Sequence, residues 1–186
     1  MKRFFDITLA IILLFILFIP FLIIGIVVKL SSKGPMLYWS DRVGKNNVIF
    51  KMPKFRSMNI DAPIVASHLL DKPDIYLSPI GSFLRSSSLD EIPQLYSIIK
   101  GDMSFVGPRP ALFNQDDLIE IRTKKNLSIL LPGLTGWAQV NGRDDLSIDE
   151  KVSYEEEYLK NMSLSFDLNI LWLTFLKVLK KQNVSH

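Results

Sequence analysis

The chain contains no cysteine. Disulfides, thiolate nucleophiles and cysteine-ligated zinc or iron–sulfur centres are therefore excluded, and nothing points to a secreted fold stapled by bridges. Histidine is scarce: His186 is the last residue, and His68, in a loop region, reads as polar surface. A Ser-His-Asp hydrolase thus lacks its base. There is no G-x-x-x-x-G-K-[ST] and no G-x-G-x-x-G, so the phosphate cradles of P-loop and dinucleotide folds are missing. There is no D-x-D, the acidic pair of metal-bridged soluble glycosyltransferases. Aromatic and basic residues do not interleave as a nucleic-acid platform requires, so nucleic acid is not an expected partner. Internal repeats and low-complexity stretches are absent as well.

Charge is missing from one long segment. Hydrophobic residues make up 48% of the 186, high for a small soluble protein, and the excess sits at the front. From Ile7 to Val28 only Thr8, Pro20 and Gly25 interrupt the apolar run. A helix of about 20 such residues crosses a hydrocarbon core of roughly 30 Å. The run is too long for a signal-peptide core, and Val27-Val28-Lys29 is not a small-residue cleavage site. Pro20 should kink the helix. Basic residues flank both ends, Lys2 and Arg3 before, Lys29 and Lys33 after, and positive residues favour the cytoplasmic side. A single span and a re-entrant turn broken at Pro20 both remain open on these residues. The net charge of +3 fits anionic lipid, nucleic acid or phosphorylated substrates alike.

Beyond Gly34-Pro35, "MLYWSDRVGKNNVIFKM" holds two β-like runs around Gly44-Lys45-Asn46-Asn47, the pattern of a hairpin closed by "KFRSM". Residues 59–80, with Pro63, Pro73 and Pro79, read as a loop with room for one short helix. Ile92, Leu95, Tyr96 and Ile99 form one apolar stripe, predicting a helix from about Asp90 to Lys100, ended by Gly101. "GDMSFVGPRP" and "PGLTGWAQVNGR" read as irregular. Further helices are expected over Ser147–Asn161 and Asp167–Lys181. The last carries Trp172 on an apolar face with Lys177, Lys180 and Lys181 near its end, as a core or interfacial helix would.

Asp90 and Glu91, in "RSSSLDEIPQL", are the candidate chemistry. Acids suit a helix start, and Ser88 with Glu91 has capping-box spacing. Pro93 weakens the cap reading. With Ser88 as cap, Pro93 stands where an N–H is needed; with Asp90 as cap, the N3 amide it would bind is missing. An exposed carboxylate pair at a positive helix end fits better, its members diverging by about 100°. Aspartate can be a nucleophile towards phosphorus. A neighbouring glutamate can hold Mg²⁺, which shares its shell with substrate phosphate. Such chemistry needs cations for phosphate oxygens. Lys54, Arg56, Arg85, Arg109 (between Pro108 and Pro110) and Arg143 (after Asn141-Gly142) are candidates.

Together, "KRFFD", "KFRSM", "RSSSLDEIPQL", "KGDMSFVGPRP" and "PGLTGWAQVNGR" resemble the bacterial sugar transferase family, the monotopic phosphoglycosyl transferases, over nearly the whole chain. The resemblance implies transfer of a sugar 1-phosphate from a UDP-sugar to undecaprenyl phosphate, with Mg²⁺ and release of UMP. The expected location is the cytoplasmic face of a bacterial inner membrane. It implies Asp90 as covalent nucleophile, Glu91 as Mg²⁺ holder with Asp90 beside it, and Lys54, Arg85, Arg109 and Arg143 around the substrate phosphates. It favours the re-entrant turn, although the family's Ser-Pro is Ile19-Pro20 here. The expected fold class is α+β: a re-entrant membrane helix-hairpin (residues 1–33), then a cytoplasmic catalytic domain (34–186) with a small β-hairpin and several helices, the last one amphipathic and interfacial. Oligomeric state is left open. The rival reading is a membrane-anchored basic scaffold that binds anionic lipid.

Overall fold

The uncharged run does not stay straight. In the computed structural model, which describes residues 1–63, 73–142 and 145–180, it forms α1 (Lys2–Ile16) and α2 (Phe18–Ser31), bent by 64°. The break falls at Leu17, three residues before Pro20, where it was expected. Pro20 has no N–H to give the Ile16 carbonyl, and its ring crowds that oxygen. The helical ladder therefore fails one turn upstream of the proline. Pro20 becomes the third residue of α2, where no intrahelical N–H is required. Among the described residues no single helix is long and apolar enough to cross a membrane, but the bent pair together passes that test of length and composition.

Both ends of this pair are fastened to the rest of the chain. Lys2 Nζ pairs with Asp167 Oδ2 at 2.6 Å, and Arg3 donates to the carbonyls of Ile98 (2.5 Å) and Ile99 (2.8 Å). Asp6, buried, accepts the Phe105 N–H at 3.2 Å. At the far end Val28 packs with Phe55 and Leu84, and Phe21 meets Phe55 with ring centroids 4.9 Å apart. The basic flanks are thus structural contacts as well as charges.

The predicted hairpin is present. β1 (Leu37–Val43) and β2 (Ile49–Phe55) pair antiparallel, Leu37 opposite Phe55 and Val43 opposite Ile49. Asn46 and Asn47 take left-handed backbone (φ 55° and 61°) in the turn, which asparagine tolerates better than most residues. A short β4 (Ala111–Leu112) joins the other edge of β1.

The two segments expected to be irregular instead meet. β3 (Ser104–Val106) and β5 (Gly133–Thr135) pair in parallel. Their glycines explain the approach. A Cβ on Gly107 would lie 2.2 Å from the Leu131 carbonyl oxygen, and one on Gly133 would lie 2.1 Å from the Gly107 nitrogen. Strands of three residues carry too little alternation to be read from sequence.

The helix predicted from Asp90 to Lys100 is two elements: a 3₁₀ helix (Leu89–Gln94) and α4 (Leu95–Lys100). The change of pitch moves the apolar stripe. Leu95 and Ile98 are buried, whereas Tyr96 is 53% exposed and meets Trp39 edge-on. Ahead of it lies α3 (Gly81–Ser86). The remaining helices are α5 (Asp116–Lys124), α6 (Trp137–Asn141), α7 (Ile148–Asn161) and α8 (Leu164–Lys180). Ser147 caps α7 in a reciprocal box with Glu150. α8 starts three residues before Asp167. That residue is buried and engaged by Lys2 and by the Tyr158 hydroxyl at 2.7 Å. Ile98, Met103, Val106, Val152, Tyr158 and Ile170 form the centre of the core. The opposite face of α8 leaves Leu168, Trp172 and Phe175 exposed, as α1 and α2 leave Phe15, Phe18 and Ile23. The architecture is α+β.

Candidate active site

The site begins at a strained entry. Ser88 sits in left-handed backbone (φ 56°) and turns the chain into the 3₁₀ helix, with no side-chain cap. The Ser88–Glu91 capping box does not form, and Asp90 is not the cap. Both acids lie in the first turn. Asp90 is only 5% exposed, against the expectation of an exposed pair. Nor do the two diverge in what they address. β2 packs across the 3₁₀ helix and delivers Lys54, whose Nζ stands 2.9 Å from Glu91 Oε1 and 4.0 Å from Asp90 Oδ2. Arg109, held between Pro108 and Pro110, brings Nη1 to 3.8 Å from the same Glu91 oxygen. Arg85, in the last turn of α3, interacts electrostatically with Asp90.

Burial raises the Asp90 carboxyl above the usual carboxylate range. Lys54 opposes the shift most strongly, Glu91 reinforces it, and Arg85 and Arg109 oppose it. Burial also lowers Arg85, which Asp90 counteracts and Arg109 augments. The result is a desolvated carboxylate kept ionisable by surrounding cations, as a nucleophile requires.

The structure therefore gathers Asp90, Glu91, Lys54, Arg85 and Arg109 in one place. Arg143 and His68 lie outside the described residues. Pro20 belongs to the helix bend and not to this constellation. One residue was missed. Arg42 on β1 is half-buried; desolvation and the neighbouring Arg109 lower its pKa to about 10, and it also feels Glu91. Its Nε donates to Ser40 Oγ (3.0 Å) and its Nη1 to the Pro110 carbonyl (3.2 Å), so it braces the segment that carries Arg109. The available signal was alternation: Ser40 and Arg42 share one face of "YWSDRV". Four cations, Arg42, Lys54, Arg85 and Arg109, thus surround two carboxylates. That surplus suits an anionic substrate. Arg109 also borders a shallow open cleft lined by Pro108, Ile119, Leu127 and Leu130.

Among the described residues no three His, Asp or Glu side chains stand together for a metal. The donor set is at most the two adjacent carboxylates. That matches Mg²⁺, which binds through one or two carboxylates and completes its shell with phosphate and water.

Comparison with known proteins converges on one family. The family model described as bacterial sugar transferase matches residues 1–181. An uncharacterized sugar transferase, EpsL, of Bacillus subtilis is 37% identical over 186 residues, covering 99% of this chain and 90% of that protein. The exopolysaccharide production protein ExoY of Sinorhizobium fredii is 37% identical, over 93% of this chain and 83% of its own. The undecaprenyl-phosphate galactose phosphotransferase of Salmonella typhimurium is 36% identical over 97% of this chain, which spans only 41% of that larger protein. Matched by the family model over residues 1–181 and by relatives of its own length, the chain belongs to the bacterial sugar transferase family.

Proposed function

We propose that this chain is a phosphoglycosyl transferase that moves a sugar 1-phosphate from a UDP-sugar to undecaprenyl phosphate. The relatives named for that lipid carrier support the class of reaction. The observation that carries the mechanism is the buried Asp90, pushed towards its neutral form by burial and held back by Lys54 and two arginines.

An Asp90 Oδ attacks the phosphorus that bears the sugar. The bond from that phosphorus to the bridging oxygen of the diphosphate breaks, and UMP leaves with the oxygen and the electron pair. A phosphosugar-aspartyl adduct remains. A phosphate oxygen of undecaprenyl phosphate then attacks the same phosphorus and restores the Asp90 carboxylate. One phosphoanhydride is broken and one is made, so the overall exchange is nearly balanced. The protein's task is positioning and charge neutralisation. Lys54 and Arg109 hold Glu91 beside the attacking group, and Arg85 faces Asp90. When bound by Glu91 with Asp90 alongside, Mg²⁺ would neutralise diphosphate charge.

Residues 1–33 would form the re-entrant membrane element and residues 34–186 the catalytic domain on the cytoplasmic face of a bacterial inner membrane. Two features support this. Lys2 and Arg3 at one end of the bent pair, and Ser32 at the other, both contact the same domain. The outer faces of α1 and α2 are apolar.

The test is to quench the enzyme with UDP-sugar alone and weigh it by mass spectrometry. A sugar-phosphate mass increment on the peptide containing Asp90 is expected, with stoichiometric UMP. Its persistent absence from enzyme that turns over with acceptor would overturn the covalent mechanism.

A further inference from the structure

Arg56 is a buried guanidinium with work left over. It is 4% exposed. Its Nη2 donates to the carbonyl (2.7 Å) and hydroxyl (2.8 Å) of Ser32, which caps the C-terminus of α2. Its Nε and Nη1 are buried without a hydrogen-bond partner. Capping explains one nitrogen and not the other two. Gly34, at φ +119°, lies directly against them: a Cβ there would be 2.0 Å from Nη1, so only glycine leaves room for the guanidinium. Lys29 donates to the Gly34 carbonyl at 3.1 Å, and Lys33 is exposed beside it. Among the described residues none of Lys29, Lys33 and Arg56 forms an ion pair. Three cations and orphaned N–H donors without a carboxylate are the makings of an anion site.

The position narrows the anion. The cluster stands where α2 leaves its apolar stretch. Arg56 follows Lys54 by two residues, about 7 Å along an extended chain, and Lys54 touches both acids. A phosphate carried on a lipid reaches this point from the apolar side. A soluble nucleotide sugar has no need of it. We propose that Arg56, with Lys33 and Lys29, seats the phosphate of the polyprenyl acceptor before it advances to the phosphosugar on Asp90. This rests on the transferase reading above.

Arg56→Met and, as a surface change that spares the fold, Lys33→Ala test it with undecaprenyl phosphate in detergent micelles. Charge-assisted hydrogen bonds of about 1.5–3 kcal/mol correspond to a rise in acceptor KM of about 10-fold or more for Arg56→Met. A rise of a few-fold is expected for Lys33→Ala. Adduct formation with donor alone, and the KM for UDP-sugar, stay at wild-type values. An unchanged acceptor KM in both variants overturns the seat, as does equal loss of the donor-only step. Reduced retention on phosphatidylglycerol vesicles with normal acceptor KM assigns the cluster to bulk phospholipid and also overturns it. A wild-type enzyme that forms no adduct sinks the covalent mechanism instead, while acceptor KM still reports on the seat.

Discussion

Asp90 ties stability to chemistry. Its pKa is raised in the fold, so between the ordinary carboxylate value and the raised one the folded chain keeps a proton that the unfolded chain has released. Stability therefore falls as pH rises through that window and stays reduced above it. Asp90→Asn cannot ionise and should lose this slope. It is expected to form no adduct, while its melting temperature at neutral pH equals or exceeds that of wild type, by roughly 2–4 °C per kcal/mol relieved. Calorimetry against pH checks the sign. Lys54 is the strongest influence opposing burial. Lys54→Met should move the acid limb of the kcat/KM profile to higher pH and lower kcat by about 100-fold, the usual scale for a preorganised charge. A pH–rate series on both proteins decides this. The dyad was legible because Pro93 spoils a simple cap. Its burial was not, because the 3₁₀ turn and the strand that covers it are both tertiary facts. Alternation could have flagged Arg42, but not its role, which runs through the Pro110 carbonyl, 68 positions away.

At the scale of elements, local chemistry was read well where it was strong. The helix expected from Ser147 is α7, whose reciprocal cap with Glu150 is local, and the Asn46-Asn47 turn announced the hairpin. It was read poorly where geometry depends on a distant backbone. β3 and β5 pair because Gly107 and Gly133 let two chains approach. Gly107→Ala should drive a methyl into the Leu131 carbonyl. A loss of about 1–3 kcal/mol is expected from such overpacking, or roughly 2–12 °C in a thermal melt. Because Val106, just ahead of Gly107, is hydrogen-bonded to Tyr158 through its carbonyl, α7 should loosen with it. Pro20 taught a related lesson: the residue that breaks a helix is not the residue at the break.

For the whole molecule, the bend sets how far the apolar pair can reach. Arms of about 22 and 21 Å meeting at a 64° bend place the corner about 11 Å from the line joining their ends. That is under half of a hydrocarbon core of roughly 30 Å. The proposed shallow insertion would suit a pair whose two ends both contact the same domain. Since the chain has no cysteine, single cysteines at Lys2 and Lys33 offer a clean readout. Both should react with an impermeant maleimide only from the cytoplasmic side, in inverted vesicles and not in intact cells. Reaction from opposite sides would establish a through-going span. The α+β class and the bent pair were legible as pattern. The docking of α1 was not, because its determinants, Asp6 and Arg3, meet partners about a hundred positions away.

The ion pair between Lys2 and Asp167 joins positions 165 apart. A ribosome delivering roughly 5–20 residues per second exposes the first helix about 10–30 s before the aspartate exists. During that interval the apolar amino-terminal arms lack the carboxylate that fastens Lys2, so the seam between the first residues and α8 closes late, after the hairpin and the acidic pair already exist.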